Sequence, residues 1–560
     1  MASVYGKRIN GQTYYYLREV ARVDGKPKIV SQRYLGKAED IAAAIGGAAG
    51  APARTKHLGF GDVAAVWSVV SRLDVAGVID DVVGARRSDA GASVGTYLAL
   101  AVLNRIVAPC SKLAFGKWWA TTAADRWVKV PAKALDHRRF WEAMDALDAQ
   151  ALTEIETRLG QKMVTEFGLD LSALALDMTN FATFIDSAND AAPIAQRGHA
   201  KQKRTDLRLV GLGLVVTRDG GIPIVAHAYP GNRPDVAEFS AIVDELTDRY
   251  TAMADTAGLS VVFDAGQNSA ANFGHLQDKN LHFVGSLPPS DHPELLAIDP
   301  GDYQIVDEDR FPGLSAVDTT VEALGATRRA VLTHSQNLHA KQSRGFDQTL
   351  AKASRQLTDL AATLARGKTR RNQDAVQAAI EKILRPRWLS RVITATLTGN
   401  TPAEFRLTFT TDEPARQELE NELFGKRILV TDHHDWTVAE IVAGYRSQSE
   451  AEAGFRQLKD TKTVSFSPMF HWSEQKIRVH AFYCVLALAI AHLMRRQAEQ
   501  AGLHFSVRAL LASLSTIQET VLLYPSTGGR PKARRILTDH DDTAAELAKL
   551  FNINTYAPKS

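Results

Sequence analysis

The sequence predicts an α/β protein organised around a mixed sheet, preceded by a β-ribbon and a helical region. Three observations carry that expectation. Residues 171–288 contain five short apolar segments, with a helical segment between the third and the fourth. An Asn-Gly and an Asp-Gly pair punctuate the first 44 residues, and such pairs are the strongest short-range hairpin signals. Residues 58–168 instead repeat their apolar positions at helical spacing.

Composition narrows the class. A chain of 560 residues has room for three or four domains, and 45% hydrophobic with 23% charged residues is ordinary for a folded protein. Disordered and fibrous classes are set aside. A net charge of +3 does not announce a nucleic-acid partner, so any such signal must be local. Cys110 and Cys484 lie in apolar runs and are too few for a disulfide framework, which suits free thiols in a reducing compartment. The N-terminus has no apolar stretch of signal-peptide length, and the most apolar segment, 481–494, reads as too short to cross a bilayer. The expectation is a cytoplasmic protein without a membrane partner.

Residues 1–44 read as a basic β-ribbon. Strand 4–9 turns at Asn10-Gly11 into an aromatic run, and a second turn at Asp24-Gly25 returns through 28–35. Lys7, Arg8, Arg18, Arg22, Lys26, Lys28, Arg33 and Lys37 outnumber Glu19, Asp24, Glu39 and Asp40. Basic and aromatic residues interleaved on a ribbon suit a phosphate backbone, although lysines also blunt sheet edges. A Gly/Ala-rich linker occupies 45–57. The helical region, 58–168, holds periodic segments at 63–73, 92–107 and 151–167 and is a helical domain of the kind that serves as a DNA reader or as a scaffold.

The five apolar segments are 171–176, 207–216, 222–228, 259–263 and 282–287, with a helix over 236–253. Three strands in meander, then helix, strand, helix, strand, is an α/β order. Residues 289–437 are more irregular, with helices at 347–366 and 374–384 and strands at 392–397 and 404–410, and read as an insertion. From 438 the chain reads as helical to 523, and 524–560 as a tail whose 528–535 stretch is basic and loop-like.

Two of the strands run into aspartate, at Asp177 and at Asp264. A buried strand delivers its terminal side chain to the carboxyl edge of the sheet, where active-site groups gather in open α/β folds. Two carboxylates on strands of one sheet can converge, whereas Asp170, Asp186, Asp190 and Asp206 end no apolar strand. A third acid comes from a helix. Tyr445, Glu452 and Lys459 are spaced by seven, and such a stripe drifts by only about 20° per heptad. Gln448 lies beside it, and Ala451, Phe455 and Leu458 form the packing face. Oxygen-only ligands without a Cys/His cluster fit a hard cation, Mg²⁺ or Mn²⁺ in its place, and two such ions serve in-line phosphoryl displacement. Lys459 and Tyr445 on the same stripe are placed for the flanking phosphates.

The spacing Tyr445–Gln448–Glu452–Lys459 resembles the Y-x2-R-x3-E-x6-K signature of DDE transposases in the insertion-sequence-four superfamily of bacterial insertion sequences. The stretches 177–181, 228–235, 262–266, 455–459 and 476–481 are similar to the same family. The resemblance implies a ribonuclease-H-like mixed sheet with a large insertion domain: 171–288 and 438–523 form the catalytic domain, with 289–437 inserted. It implies that Asp177, Asp264 and Glu452 are catalytic residues holding two Mg²⁺ ions. It also implies double-stranded DNA partners (element ends and target), a homodimer on paired ends, and cut-and-paste chemistry through hairpin ends. Gln448 stands where the signature has arginine, so Arg446 or Arg456 is the candidate to neutralise phosphate there. Trp388 is the insertion's candidate for stacking a flipped base, or else a core tryptophan.

Other signals are weaker. No phosphate-binding P-loop, zinc-protease or serine-hydrolase motif occurs, and Gly211-Leu-Gly213 lacks a third glycine. His433-His434 reads as a solvated loop pair, and Lys532, Arg534 and Arg535 as a solvated tail. Two rivals stand beside the transposase reading: a non-catalytic DNA-binding derivative, and a ribonuclease-H-like nuclease or resolvase that cuts without joining.

Overall fold

The computed structural model describes residues 2–23, 26–45, 52–85, 91–198, 206–253, 258–368, 370–524 and 532–559. The Asp24-Gly25 turn, residues 46–51 of the expected linker and residues 528–531 of the basic stretch lie outside them. The chain forms two compact units. One comprises Met1–Ala65, Lys117–Lys129 and Leu511–Ser560, and the other Val66–Gly116 and Val130–Leu510.

The first unit opens with an antiparallel sheet, β1 (Ala2–Ile9), β2 (Gln12–Val23) and β3 (Lys26–Gly36), in that order. Asn10 and Gly11 both take positive φ (48° and 82°), the geometry a two-residue hairpin turn requires. A helix, Ala38–Ile45, follows, and residues expected in the linker form β4 (Arg54–Gly59).

Asp62 enters the next helix, Gly61–Arg72. Burial pushes its carboxyl up to about 6, against hydrogen bonds from the Val63 and Asp62 backbone N–H groups. A carboxyl whose folded pKa is raised favours folding while protonated. That contribution is complete below the unfolded value of 3.8 and is lost as pH rises through 6. Asp62→Asn is expected to raise the urea midpoint at pH 7 and leave it unchanged at pH 3.5. Equal midpoints at pH 7 would contradict the burial argument.

The second unit is built on a ten-stranded mixed sheet. Its strands are β5 (Ala173–Thr183), β6 (Gln196–Arg197), β7 (Arg208–Thr217), β8 (Pro223–Pro230), β9 (Ser260–Val262), β10 (His282–Leu287), β11 (Gln304–Ile305), β12 (Leu314–Ala323) and β13 (Ala326–Ser335). A separate hairpin, β14 (Ile393–Thr398) and β15 (Arg406–Thr411), precedes the tenth sheet strand, β16 (Lys426–Thr431). The order is β11-β12-β13-β16-β10-β9-β5-β7-β6, with β8 also on β7. β5, β7 and β8 are an antiparallel meander, while β9 runs parallel to both β5 and β10. The five expected strands are all present, in that mixed arrangement.

β5 is longer than expected. It continues past Asp177 because burial continues: Met178, Thr179, Phe181 and Thr183 are all buried. Two glycines let β7 sit tightly. A Cβ at Gly211 would lie 2.2 Å from the Tyr229 ring, and one at Gly213 would lie 2.4 Å from Ile242 of the helix Asp235–Met253.

The segment 289–437 divides its loyalties. β11, β12, β13 and β16 join the main sheet, with β16 antiparallel to both β10 and β13. Between them, helices Gln336–Ala365 and Gln373–Leu384 pack with the β14–β15 hairpin around Phe346, Leu357, Val376, Leu389 and Phe405. The apolar segment near 481–494 belongs to a longer helix, Glu474–Gln500. By length and composition that helix could cross a membrane, which corrects the expectation that it is too short, but 94% of its apolar window is buried inside the protein. It is a core helix.

The C-terminal expectation also changes. Residues up to 523 are not all helical: β17 (Gln518–Tyr524) pairs with β4 and with β18 (Lys532–Leu537). Lys532, Arg534 and Arg535 therefore lie on a strand, and Arg535 ion-pairs with the buried Glu519. Paired backbone, rather than a solvated loop, holds this basic stretch.

Candidate active site

Strand register relates the two aspartates. Ala173 lies opposite Ser260 and Ala175 opposite Val262 on the parallel pair β5–β9. β9 ends at Val262, and the register carried two residues further on would bring Asp264 to the level of Asp177. The backbone at Asp264 is extended (φ −95°, ψ 175°) where the chain enters the turn Ala265–Gln267. On the other side, β10 places His282 opposite Ser260 and Val284 opposite Val262, which carries Ser286 to the level of Asp264. Equal levels on parallel strands share one face of the pleat. Asp177 and Ser286 thus lie on strands flanking β9, and Asp264 follows directly from the end of β9 between them.

Each aspartate is held locally. Asp177 accepts from the Met178 N–H (2.7 Å). Asp264 caps the turn Ala265–Gln267, accepting from the Gly266 N–H (2.8 Å), and the buried Gln267 side-chain amide lies 2.5 Å from the same oxygen. Val261, Val262 and Phe263 are fully buried and anchor the strand that delivers Asp264 to an exposed position.

The expected single helix is two, Val438–Arg446 and Gln448–Leu458, joined at Ser447. A capping box of Thr437 and Glu440 starts the first. Ser447 keeps helical dihedrals (φ −61°, ψ −18°), and its hydroxyl donates to the Gly444 carbonyl (2.6 Å). The seven-residue stripe survives the joint. At one end the Tyr445 hydroxyl donates to Ser286 Oγ (3.1 Å), and at the other Lys459 Nζ donates to Thr179 Oγ1 (2.7 Å). Ser286 is on β10, and Thr179 is two residues beyond Asp177 on the same face of β5. Glu452 lies midway between these two anchors and is exposed, while Ala451, Phe455 and Leu458 are buried. Gly454 permits the close approach: a Cβ there would sit 3.3 Å from Leu488 and 3.9 Å from Leu214, the residue opposite Asp177 on β7.

The paired strands and the stripe therefore gather Asp177, Asp264 and Glu452 on one face. They are not packed tightly, since the three carboxylates do not all lie within 4.8 Å of one another.

The expected DNA-contacting residues divide by exposure. Arg446, Arg456 and Lys459 are exposed, whereas Tyr445 and Gln448 are buried. Arg446 stacks 4.5 Å over the Phe311 ring, and burial, then Arg427, lowers its pKa. Arg427 itself lies 5.1 Å over the Tyr445 ring, a cation that the sequence did not flag. Behind the meander, burial, Asp235, Glu238 and Asp177 all raise the Tyr229 hydroxyl, which donates to Asp235 Oδ1 (2.8 Å). Trp388 is half-buried against the core of the 336–424 segment, its ring 5.4 Å from Phe424 and used in packing.

His433 corrects the expectation of a solvated pair. It is buried, stacked on Trp436 (3.8 Å) and His282 (4.5 Å), and its Nε2 lies 2.6 Å from Ser260 Oγ. Burial, then His282, lowers its pKa. With Asp432, these histidines form the one group of potential metal ligands within 4.8 Å among the described residues. That group is at the Ser260–His282 level, four residues along the chain from Asp264 and Ser286, and Asp432 already accepts from His282 Nδ1 (3.0 Å) and the Phe283 N–H (2.9 Å).

Comparison with known proteins identifies the family. A family model described as Transposase DDE domain matches residues 170–488, which include all three acids. No curated protein matches the chain. Among solved structures, a piggyBac transposase synaptic complex with hairpin DNA aligns over 91% of this chain and 85% of that chain, at 9% identity and a TM-score of 0.36. That likeness is too slight to argue from. The family match, however, spans more than half of the 560 residues, and the chain belongs to the transposase DDE domain family.

Proposed function

We propose that this transposase cuts and joins DNA at the ends of a mobile element, using Asp177, Asp264 and Glu452 as its catalytic acids on a ribonuclease-H-like sheet. What supports the reading is the parallel pairing of β5 and β9, which lead to Asp177 and Asp264, beside a helix anchored on both sides of Glu452. The strand order supports it as well. A three-strand meander, β5, β7 and β8, continued by two strands parallel to β5 is the connectivity a ribonuclease-H-like core needs.

The donor set suits Mg²⁺ or Mn²⁺: three carboxylates, no thiolate and no imidazole among them. When bound, a pair of such ions stabilises the charge on attacking and leaving oxygens of an in-line phosphoryl displacement. The residues of the chain do the rest. Gln267 and the Gly266 N–H fix the Asp264 carboxylate, and the Tyr445 and Lys459 anchors fix the height of Glu452 above the strands. Lys459 and the exposed Arg446 and Arg456 hold phosphates on either side of the scissile bond. Water attacks one phosphodiester to leave a 3′-hydroxyl. That hydroxyl then attacks the opposite strand, closing a hairpin and releasing the flanking DNA, and after reopening it attacks target DNA. A homodimer on paired ends coordinates both cuts.

Purified protein with Mg²⁺, a duplex carrying the element's terminal repeat and a supercoiled plasmid is expected to yield repeat DNA covalently joined to plasmid. Cut ends that never join would identify a nuclease instead, and uncut duplex would refute both.

A further inference from the structure

The β1–β2–β3 sheet lies outside the residues matched by the transposase family. Its register sorts its side chains onto two unlike faces. Tyr5 lies opposite Tyr16 and Lys7 opposite Tyr14 across β1 and β2, and Tyr16 lies opposite Tyr34 across β2 and β3. Directly opposed residues share a face, and every second residue returns to it. One face therefore carries four tyrosines with Lys7 and Arg18 among them, and Arg22 follows further along β2, past the register shift between Glu19 and Val20. The contacts agree: the Tyr34 ring is 5.3 Å from Tyr16 and 6.2 Å from Tyr14. Arg18 lies 3.6 Å over Tyr5 and donates from Nε to Gln32 Oε1 (2.7 Å).

Among the described residues, no strand residue on this face is acidic, and the carboxylate acting on Tyr34 is Asp40 of the following helix. The opposite face has cations too (Arg8, Lys26, Lys28, Arg33), but they share it with Glu19 and with a single tyrosine, Tyr15. Tyr5 and Tyr34 are 43% and 55% exposed, a large aromatic area to leave in water. Tyrosine offers a flat apolar ring for base and sugar and a hydroxyl for groove edges, while the cations match phosphates.

We propose that the tyrosine–arginine face of β1–β2–β3 is a duplex-DNA interface, with Lys7, Arg18 and Arg22 on phosphates. This rests on the transposase reading and adds to it the surface that grips DNA away from the carboxylates. Duplex DNA is chosen over a second copy of the chain because a face with three cations and no strand carboxylate would repel its own copy.

The test uses two charge-matched variants of the full-length chain. Lys7→Gln/Arg18→Gln/Arg22→Gln removes three cations from the tyrosine face, and Arg8→Gln/Lys28→Gln/Arg33→Gln removes three from the other. Binding to a fluorescein-labelled terminal-repeat duplex is measured without Mg²⁺ from 50 to 300 mM KCl. The first variant is expected to bind on the order of tenfold more weakly, with a salt slope shallower by about 2.7. The second is expected to change affinity less than threefold. Single substitutions Lys7→Gln and Arg22→Gln, each expected to flatten the slope by about 0.9, guard against misfolding of the triple variant. Equal losses from both faces, or none, would overturn the interface while leaving the active-site reading intact. A wild-type chain that binds no duplex would overturn both. A tyrosine-face variant that changes only the sedimentation coefficient would mark a contact between copies and overturn the DNA assignment.

Discussion

Glu452→Gln is expected to lower Mg²⁺-dependent end cleavage by roughly 10³-fold or more, about 4 kcal/mol of barrier, while leaving folding and end binding in place. The side chain is exposed on its helix, so an isosteric amide disturbs no packing, and the urea midpoint should move by no more than about 0.5 kcal/mol equivalent. What is lost is one negative charge at a position midway between the Tyr445–Ser286 and Lys459–Thr179 anchors. Asp177→Asn and Asp264→Asn should behave alike, because the paired strands β5 and β9 lead to both carboxylates beside the same helix. Pairs of these substitutions should cost little more than the worst single one, since residues that act as a unit are not additive. Cleavage and strand transfer on a pre-nicked duplex should fall together. A variant that still cuts within tenfold of the parent would remove that acid from the catalytic set.

The sequence made part of this site legible, for reasons that can be named. Asp264 follows a fully apolar Val-Val-Phe run, so strand end and carboxylate are both visible in the chain. Glu452 shows through helical spacing, because Tyr445 and Lys459 recur at seven residues on either side. Asp177 lies inside β5 and not at the strand end that the sequence suggests. A charged residue interrupting an apolar run looks like a strand end, yet β5 continues because Thr179 and Phe181 share the face of Asp177 and pack under the helix and loop that follow Glu452. The pairing of β5 with β9 could not be read at all, since register between strands more than eighty residues apart leaves no local trace. The same holds for Ser286, a lone hydroxyl in an apolar strand whose value as the Tyr445 anchor depends on that pairing. β12, β13 and β16 were hidden for a related reason. β12 alternates polar and apolar residues within a polar stretch, and β16, a run of only six residues, pairs with β10 and β13, both far away in sequence. The tail strand β18 was hidden by its charge, since Arg535 is accommodated only because Glu519 faces it from β17.

Arg208→Met is expected to destabilise the protein by about 3–5 kcal/mol, the largest stability loss of any single exchange considered. Arg208 begins β7, directly opposite Thr183 at the end of the strand that carries Asp177. It is buried, and its guanidinium donates to four backbone carbonyls: Ala195 from Nε (2.5 Å), Asp186 and Asn189 from Nη1 (both 2.9 Å), and Ala192 from Nη2 (3.1 Å). One planar cation thus satisfies most of the loop between β5 and β6, where Ala192, Ile194 and Ala195 are themselves buried. Methionine fills similar space but donates nothing, so several buried carbonyls would lose their partners together. Lysine is expected to rescue less than half of the loss, because a single ammonium cannot serve four acceptors spread around a fork. The loop is also tied to the segment after Glu452, through Asn189 Nδ2 to the Trp472 carbonyl (2.7 Å) and the Glu474 N–H to the Ala191 carbonyl (2.8 Å). Loosening should therefore appear first as protease cleavage within 184–196 and only then as global unfolding. Urea titration with limited proteolysis checks both. A loss below about 1 kcal/mol would mean that water replaces the guanidinium at these carbonyls, and that the loop is held by its buried apolar residues instead.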